Sequence, residues 1–126
     1  MAVGARIIER MCEEGYLGAE GRIAVLARRV EQRFLSLQKR LPQAVGHRSG
    51  IGAMQAFVPF DGSRELVDAV IHRAFEEGLL VLGTGERPTK LRMLLPVNTT
   101  DEELEVGFDI LEKALRAVAA EKELPL

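Results

Sequence analysis

Cysteine is almost absent from this sequence: Cys12 stands alone among 126 residues. A lone thiol cannot close an internal disulfide, and with no Cys or His beside it at ligand spacing it does not read as a metal site. A reducing compartment fits that usage, so a cytoplasmic location is expected. An excess of charge of one sign is lacking too. The 17 basic and 19 acidic residues are interleaved and leave a formal net charge of −2, which argues against a broad phosphate-binding face and against nucleic acid as a partner. No apolar run approaches the roughly 20 residues of a membrane span, and the stretch from Met1 to Arg6 reaches charge too soon for a signal peptide. Neither a membrane partner nor secretion is expected. Internal repeats and low-complexity segments are missing. His47 and His72 lie far apart with no metal-ligand spacing, and Asp61, Glu76 and Glu77 form no pattern of paired catalytic carboxylates.

What is present is enough apolar residue, 47% against 29% charged, for one domain with a single core. From Ala2 to Glu14 the composition is helical, with Ile7, Ile8 and Met11 as its apolar stripe and Gly15 and Gly18 closing it. Ile23, Leu26, Val30, Phe34, Leu37 and Leu41 recur at intervals of three and four, which predicts a long amphipathic helix ending before Pro42. Its basic residues, among them Arg29, Arg33 and Arg40, read as a solvated face. Gln43 to Arg48 and Ala53 to Val58 read as two strands separated by a glycine-rich kink. Ser63 is placed to cap a helix carrying Leu66, Val67, Val70, Ile71, Ala74 and Phe75, and Gly78 to end it. Leu79 to Leu82 and the run containing Arg92 predict an antiparallel hairpin, with residues 83–88 at its tip. Gly83-Thr84-Gly85 lacks the following helix start that would make it a phosphate cradle. Thr100 with Glu103 forms a capping-box pattern for a last helix with Leu104, Phe108, Leu111, Leu115 and Val118 on its core face. The tail from Glu121 is expected to fray, and Met11, Met54 and Met93 to fill gaps in the core. The fold class expected is α+β: a small, mostly antiparallel sheet of three to four strands with helices on one face, preceded by two N-terminal helices. The chain then divides into two helices over 1–42 and a sheet core over 43–120 of a single domain.

Arg92 lies within the apolar run Lys90-Leu91-Arg92-Met93-Leu94-Leu95-Pro96. A guanidinium there is either a solvated side chain on the open face of a strand or a fork of donors for an anion, and a carboxylate fits that fork two bonds at a time. An amino acid or oxo acid would suit it. Lys90 shares the face of Arg92 by strand alternation.

Two blocks, Arg48-Ser49-Gly50-Ile51-Gly52-Ala53-Met54-Gln55-Ala56-Phe57 and Leu91-Arg92-Met93-Leu94-Leu95-Pro96-Val97 followed by Thr99-Thr100-Asp101-Glu102-Glu103-Leu104, resemble the C-terminal small domain of class III (fold type I) pyridoxal-phosphate-dependent aminotransferases. The 4-aminobutyrate aminotransferase branch is the most similar. Ala74 to Leu82 and Ile7 to Leu41 extend the resemblance over essentially the whole chain. It implies that Arg92 matches the arginine gripping the substrate carboxylate, and that Gly50 and Gly52 match a Gly-x-Gly turn near the active-site entrance, where their role is shape.

The same resemblance implies that the cofactor, pyridoxal 5'-phosphate, is held by a larger domain with the aldimine lysine, the acid facing the pyridine nitrogen and most of the phosphate cup. This sequence contains four lysines, Lys39, Lys90, Lys113 and Lys122, and none matches that lysine. No catalytic residue, no metal and no cofactor is therefore expected on this chain, which by itself should be inactive. The expected partners are the large cofactor-binding domain, a second copy in a homodimer or by self-association, and an amino-acid or 2-oxo-acid substrate such as 4-aminobutyrate, acetylornithine or ornithine. A free-standing amino-acid-binding or dimerisation module with the same fold is the alternative.

Overall fold

A computed structural model describes residues 2–84 and 89–126. Four helices and four strands follow in the order α1 (Ala2–Glu13), α2 (Arg22–Arg40), β1 (Val45–Ile51), β2 (Met54–Pro59), α3 (Arg64–Glu76), β3 (Leu82–Gly83), β4 (Leu91–Leu94) and α4 (Asp101–Glu121). The strands form one antiparallel sheet in the order β1-β2-β4-β3, and the α+β class is as expected. Residues 85–88, at the predicted hairpin tip, lie outside the described residues, so of Gly83-Thr84-Gly85 only the first two are described: Gly83 ends β3, and the Thr84 N–H donates to Lys90 O at 3.0 Å.

Helix α2 buries Leu26, Val30, Phe34 and Leu37 along one stripe, the spacing that repeats one face at 3.6 residues per turn. It stops at Leu41, whose N–H reaches Leu37 O, because Pro42 disfavours helical backbone in the residue before it. Phe34 is the keystone of the core. Its ring lies 5.4 Å from that of Phe57 on β2 and 4.9 Å, edge to face, from that of Phe108 on α4, so one side chain ties the sheet to two helices. Leu91 and Met93 on β4 are buried with Phe57 on the helix side of the sheet, together with Val67, Val70 and Ala74 of α3 and Leu104, Leu111, Leu115 and Val118 of α4.

The start of α4 is held as its sequence predicts. Thr100 Oγ1 accepts from the Glu103 N–H, and the Glu103 carboxylate accepts from the Thr100 N–H. Helix α3 ends at Gly78, with the Gly78 N–H on Phe75 O and the Leu79 N–H on Ala74 O, the paired bonds of a Schellman motif.

Several expectations are corrected. Ser63 occupies the N-cap position of α3 but its side chain makes no capping bond. Instead its backbone N–H donates to Asp61 Oδ1 at 2.8 Å, and that bond holds the Asp61 carboxyl below the usual range. Helix α1 forms, yet Val3, Ile7 and Ile8 are 75%, 55% and 61% exposed, so its apolar stripe lies outside the core. Met93 is buried, whereas Met54 is on the surface and Met11 is half-buried. The predicted strand at Leu79–Leu82 shortens to Leu82–Gly83. The tail does not fray either: Leu124 packs on the core, with its N–H on Ala119 O, and Lys122 pairs with Glu65 at 2.6 Å.

The basic residues of α2 are not merely solvated. Arg29 pairs with Asp101, Arg33 with Glu105 and Asp109, and Arg40 with Glu112, all on α4. These pairs rail the two helices together, and the matching three- and four-residue spacing of the acids along α4 was the available signal.

Candidate functional site: the open face of the sheet

Antiparallel pairing fixes which side chains share a face. Ser49 pairs with Ala56, Ala56 with Arg92, and Arg92 with Leu82. These four form one row across all four strands, on the face opposite the buried neighbours Phe57, Leu91 and Met93. Ile51, Met54 and Leu94 form the next row on this face, and they and Leu82 are 79%, 43%, 64% and 48% exposed. The exposure of these side chains leaves the face open, with a row of apolar side chains beside a guanidinium.

Arg92 is half-buried in the row. Its Nε is shielded from solvent and has no hydrogen-bond partner, which costs free energy; the Nε of the ion-paired Arg33 shares that state. Among the described residues no carboxylate lies within ion-pairing distance of it. By contrast, Arg48, one row away and on the helix side, faces Glu31 of α2 at 3.6 Å. The two arginines of the sheet differ because alternation sends one toward the helices and the other away from them.

The glycines that precede the row shape its rim. Gly52 and Ala53 form the two-residue turn between Ile51 and Met54. Gly52 has φ +57°, the left-handed conformation that such tight hairpins require, and the Gln55 amide donates to Gly52 O across the turn at 3.0 Å. Gly50, at φ +146°, passes so close to β2 that an added Cβ would meet Met54 O at 2.3 Å and Gln55 Cα at 2.8 Å. A side chain at Gly52 would lie 3.4 Å from Ile23 Cγ2, so the hairpin tip leans on the first turn of α2.

Sequence reasoning did not foresee one contact. Lys90 Nζ donates to Ser49 Oγ at 3.2 Å, which carries the ammonium from the start of β4 across β2 to β1. The remaining lysines are on the periphery: Lys39 is exposed on α2, and Lys113 and Lys122 pair with Glu77 and Glu65. His72 is exposed beside Glu76, and His47 is exposed on β1. Among the described residues no cluster of His, Cys, Asp or Glu could hold a metal ion, and no helix is long and apolar enough to cross a membrane.

No family model matches the chain. Two curated relatives are similar to it: the diaminobutyrate–2-oxoglutarate transaminase of Marinococcus halophilus, 34% identical over 68% of this chain and 20% of its own length, and the 5-aminovalerate aminotransferase DavT of Pseudomonas aeruginosa, 34% identical over 61% of this chain and 20% of its own length. The chain thus spans about a fifth of the length of the curated relatives it matches. A lysine aminotransferase from M. tuberculosis has the same fold over 90% of this chain and 24% of that one, with a TM-score of 0.77 at 23% identity.

Proposed function

Since the chain is related in sequence and fold to the class III pyridoxal-phosphate-dependent aminotransferases over about a fifth to a quarter of their length, we propose that it is the small domain of such an enzyme and that Arg92 binds the substrate carboxylate. The observation that carries the reading is the Arg92 guanidinium, half-buried among the exposed apolar side chains of the open sheet face, with no carboxylate among the described residues within ion-pairing distance. The carboxylate of an amino acid or 2-oxo acid supplies acceptors for the outer nitrogens of that guanidinium. The charge-assisted bonds formed then position the reacting carbon, and orientation is a large share of the rate in cofactor chemistry of this type. Gly50 and Gly52 shape the rim of the entrance, and no catalytic group is assigned to this chain.

The residues of this chain do not make a site for the family's cofactor. Two of its four lysines are tied into surface ion pairs, Lys39 is exposed on a helix, and Lys90 is held by Ser49. Schiff-base lysines are activated by desolvation in an apolar pocket or by a neighbouring cation, and none of these four is buried. In this reading the cofactor belongs to a large domain that covers the open sheet face and docks against the exposed apolar stripe of α1, and the assembled enzyme is a cytoplasmic homodimer transferring an amino group between an amino acid and a 2-oxo acid.

The test joins this chain to the large domain of a class III aminotransferase and measures amino transfer to 2-oxoglutarate. Arg92→Ala should raise the KM and lower turnover, with kcat/KM falling about a hundredfold, the scale of losing two charge-assisted bonds at about 1.5–3 kcal/mol each, discounted for partial exposure. Arg92→Lys should restore only part of it because the planar fork is lost. Kinetics of the alanine variant equal to those of the parent would refute the assignment.

A further inference from the structure

The row Ser49–Ala56–Arg92–Leu82 brings two cations onto one patch of the open face. Lys90 begins one row away, opposite Val58 if the register is continued, and its ammonium crosses β2 to reach Ser49 Oγ at 3.2 Å. That places the positive charge of Lys90 at the β1 end of the row in which Arg92 stands on β4, with only the methyl group of Ala56 between them on β2. Ser49 and Arg92 are separated by two strand spacings, roughly 10 Å between backbones. At that separation on an open face the two cations repel each other only weakly in salt, and a single anion with a charge at each end can reach both. Among the described residues no carboxylate lies within ion-pairing distance of either group. The Lys90 backbone carbonyl accepts from the Thr84 N–H at 3.0 Å, so the residue is anchored to the ladder and its side chain alone makes the excursion.

We infer that Lys90 is a specificity-determining residue: with Arg92 it forms a two-point anion site on the open sheet face that selects a small dicarboxylate over a monocarboxylate. The inference rests on the proposed role of Arg92 and adds a second contact to it. Arg92 takes one carboxylate through its fork, and Lys90 takes the other as a point charge, which tolerates variation in distance better than a fork does. Ser49 holds the ammonium in the row, and Ala56 leaves the floor low enough for a ligand chain to lie between the two cations.

The test uses the 126-residue chain at low ionic strength, where exposed charges are least screened. Glutarate and its monoamide, alike in length but differing by one charge, are titrated while the Arg92 side-chain Nε–H resonance is followed by NMR. Glutarate should bind about tenfold more tightly than the monoamide, a statistical factor of about two for its equivalent carboxylates multiplied by about five for one partly exposed ion pair. Lys90→Met should bring the ratio down to about two, the statistical factor alone, with the resonance still responding to both acids, and Lys90→Arg should keep the preference. A merely structural role for Lys90 would leave the ratio unchanged. A ratio near two in the parent chain, the statistical value, or a larger ratio that survives Lys90→Met, overturns the role of Lys90 and leaves that of Arg92 standing. An Arg92 resonance that responds to neither acid overturns both.

Discussion

Replacing Gly50 by alanine should be among the most damaging single-methyl changes available near the site, and its size follows from the geometry. The backbone at φ +146° is one that a side chain rarely adopts, and the new Cβ would lie 2.3 Å from Met54 O and 2.8 Å from Gln55 Cα. The conformation alone costs about 1–3 kcal/mol. The clash is with backbone on both counts, so relief requires moving a strand, and forced displacement in a packed region adds about 1–3 kcal/mol. Against this, alanine restricts the unfolded chain and returns about 0.4–1 kcal/mol. The net expectation is a loss of about 1–5.5 kcal/mol. Gly52→Ala is the internal control: at φ +57°, with Ile23 Cγ2 3.4 Å away, it meets the left-handed penalty of about 1–2 kcal/mol without a backbone clash. The assay is equilibrium urea unfolding of the two variants, comparing midpoints at matched slopes. Because Gly50 pairs with Gln55, and Ala56 beside it pairs with Arg92, Gly50→Ala should also shift the Arg92 resonances, which Gly52→Ala should spare. A Gly50→Ala chain within about 0.5 kcal/mol of the parent, or one more stable than Gly52→Ala, would refute the account, since surface changes without a structural cause fall within that range.

The other perturbations test the frame that holds the sheet. Thr100→Ala removes half of the reciprocal cap at the start of α4 and should cost about 1 kcal/mol in the same unfolding assay. Phe34→Ala empties the junction between Phe57 and Phe108 and should cost about 3–5 kcal/mol by calorimetry or urea. Glu112 is held below its ordinary pKa of 4.5 by hydrogen bonds, first from Arg40 and then from Arg116, against the opposing effect of burial. Its ionised form is therefore favoured in the folded chain, so its stabilising contribution is present above pH 4.5 and is lost as the pH falls through the lowered value. Glu112→Gln should be less stable than the parent at neutral pH, and the gap should close in acid. A gap that stayed constant with pH would exclude the linkage.

The order of helices and strands was legible in the sequence because each element carries its own periodicity and punctuation: the three-and-four spacing from Ile23 to Leu41 with Pro42 as its stop, Thr100 with Glu103 at a helix start, and Gly78 at a helix end. Those signals are local, and local backbone preference decides them. The resemblance carried by the blocks around Gly50 and Arg92 was legible for the same reason, since it rests on residues in series. What tertiary structure alone decided was where each face points. Helix α1 has an apolar stripe as regular as that of α2, yet Val3, Ile7 and Ile8 remain exposed while Val30 and Phe34 are buried, because amphipathicity marks a side for covering without naming what covers it. The arginines of α2 read as solvated until α4 brought its acids beside them. Arg48 and Arg92 both stand in short strands, and only the register of β1, β2 and β4 sends the first to Glu31 and leaves the second on the open face. Lys90 reaching Ser49 joins residues 41 apart in the chain. The sequence determines which residues alternate along a strand, and the pairing of strands determines which residues from different strands meet in one row.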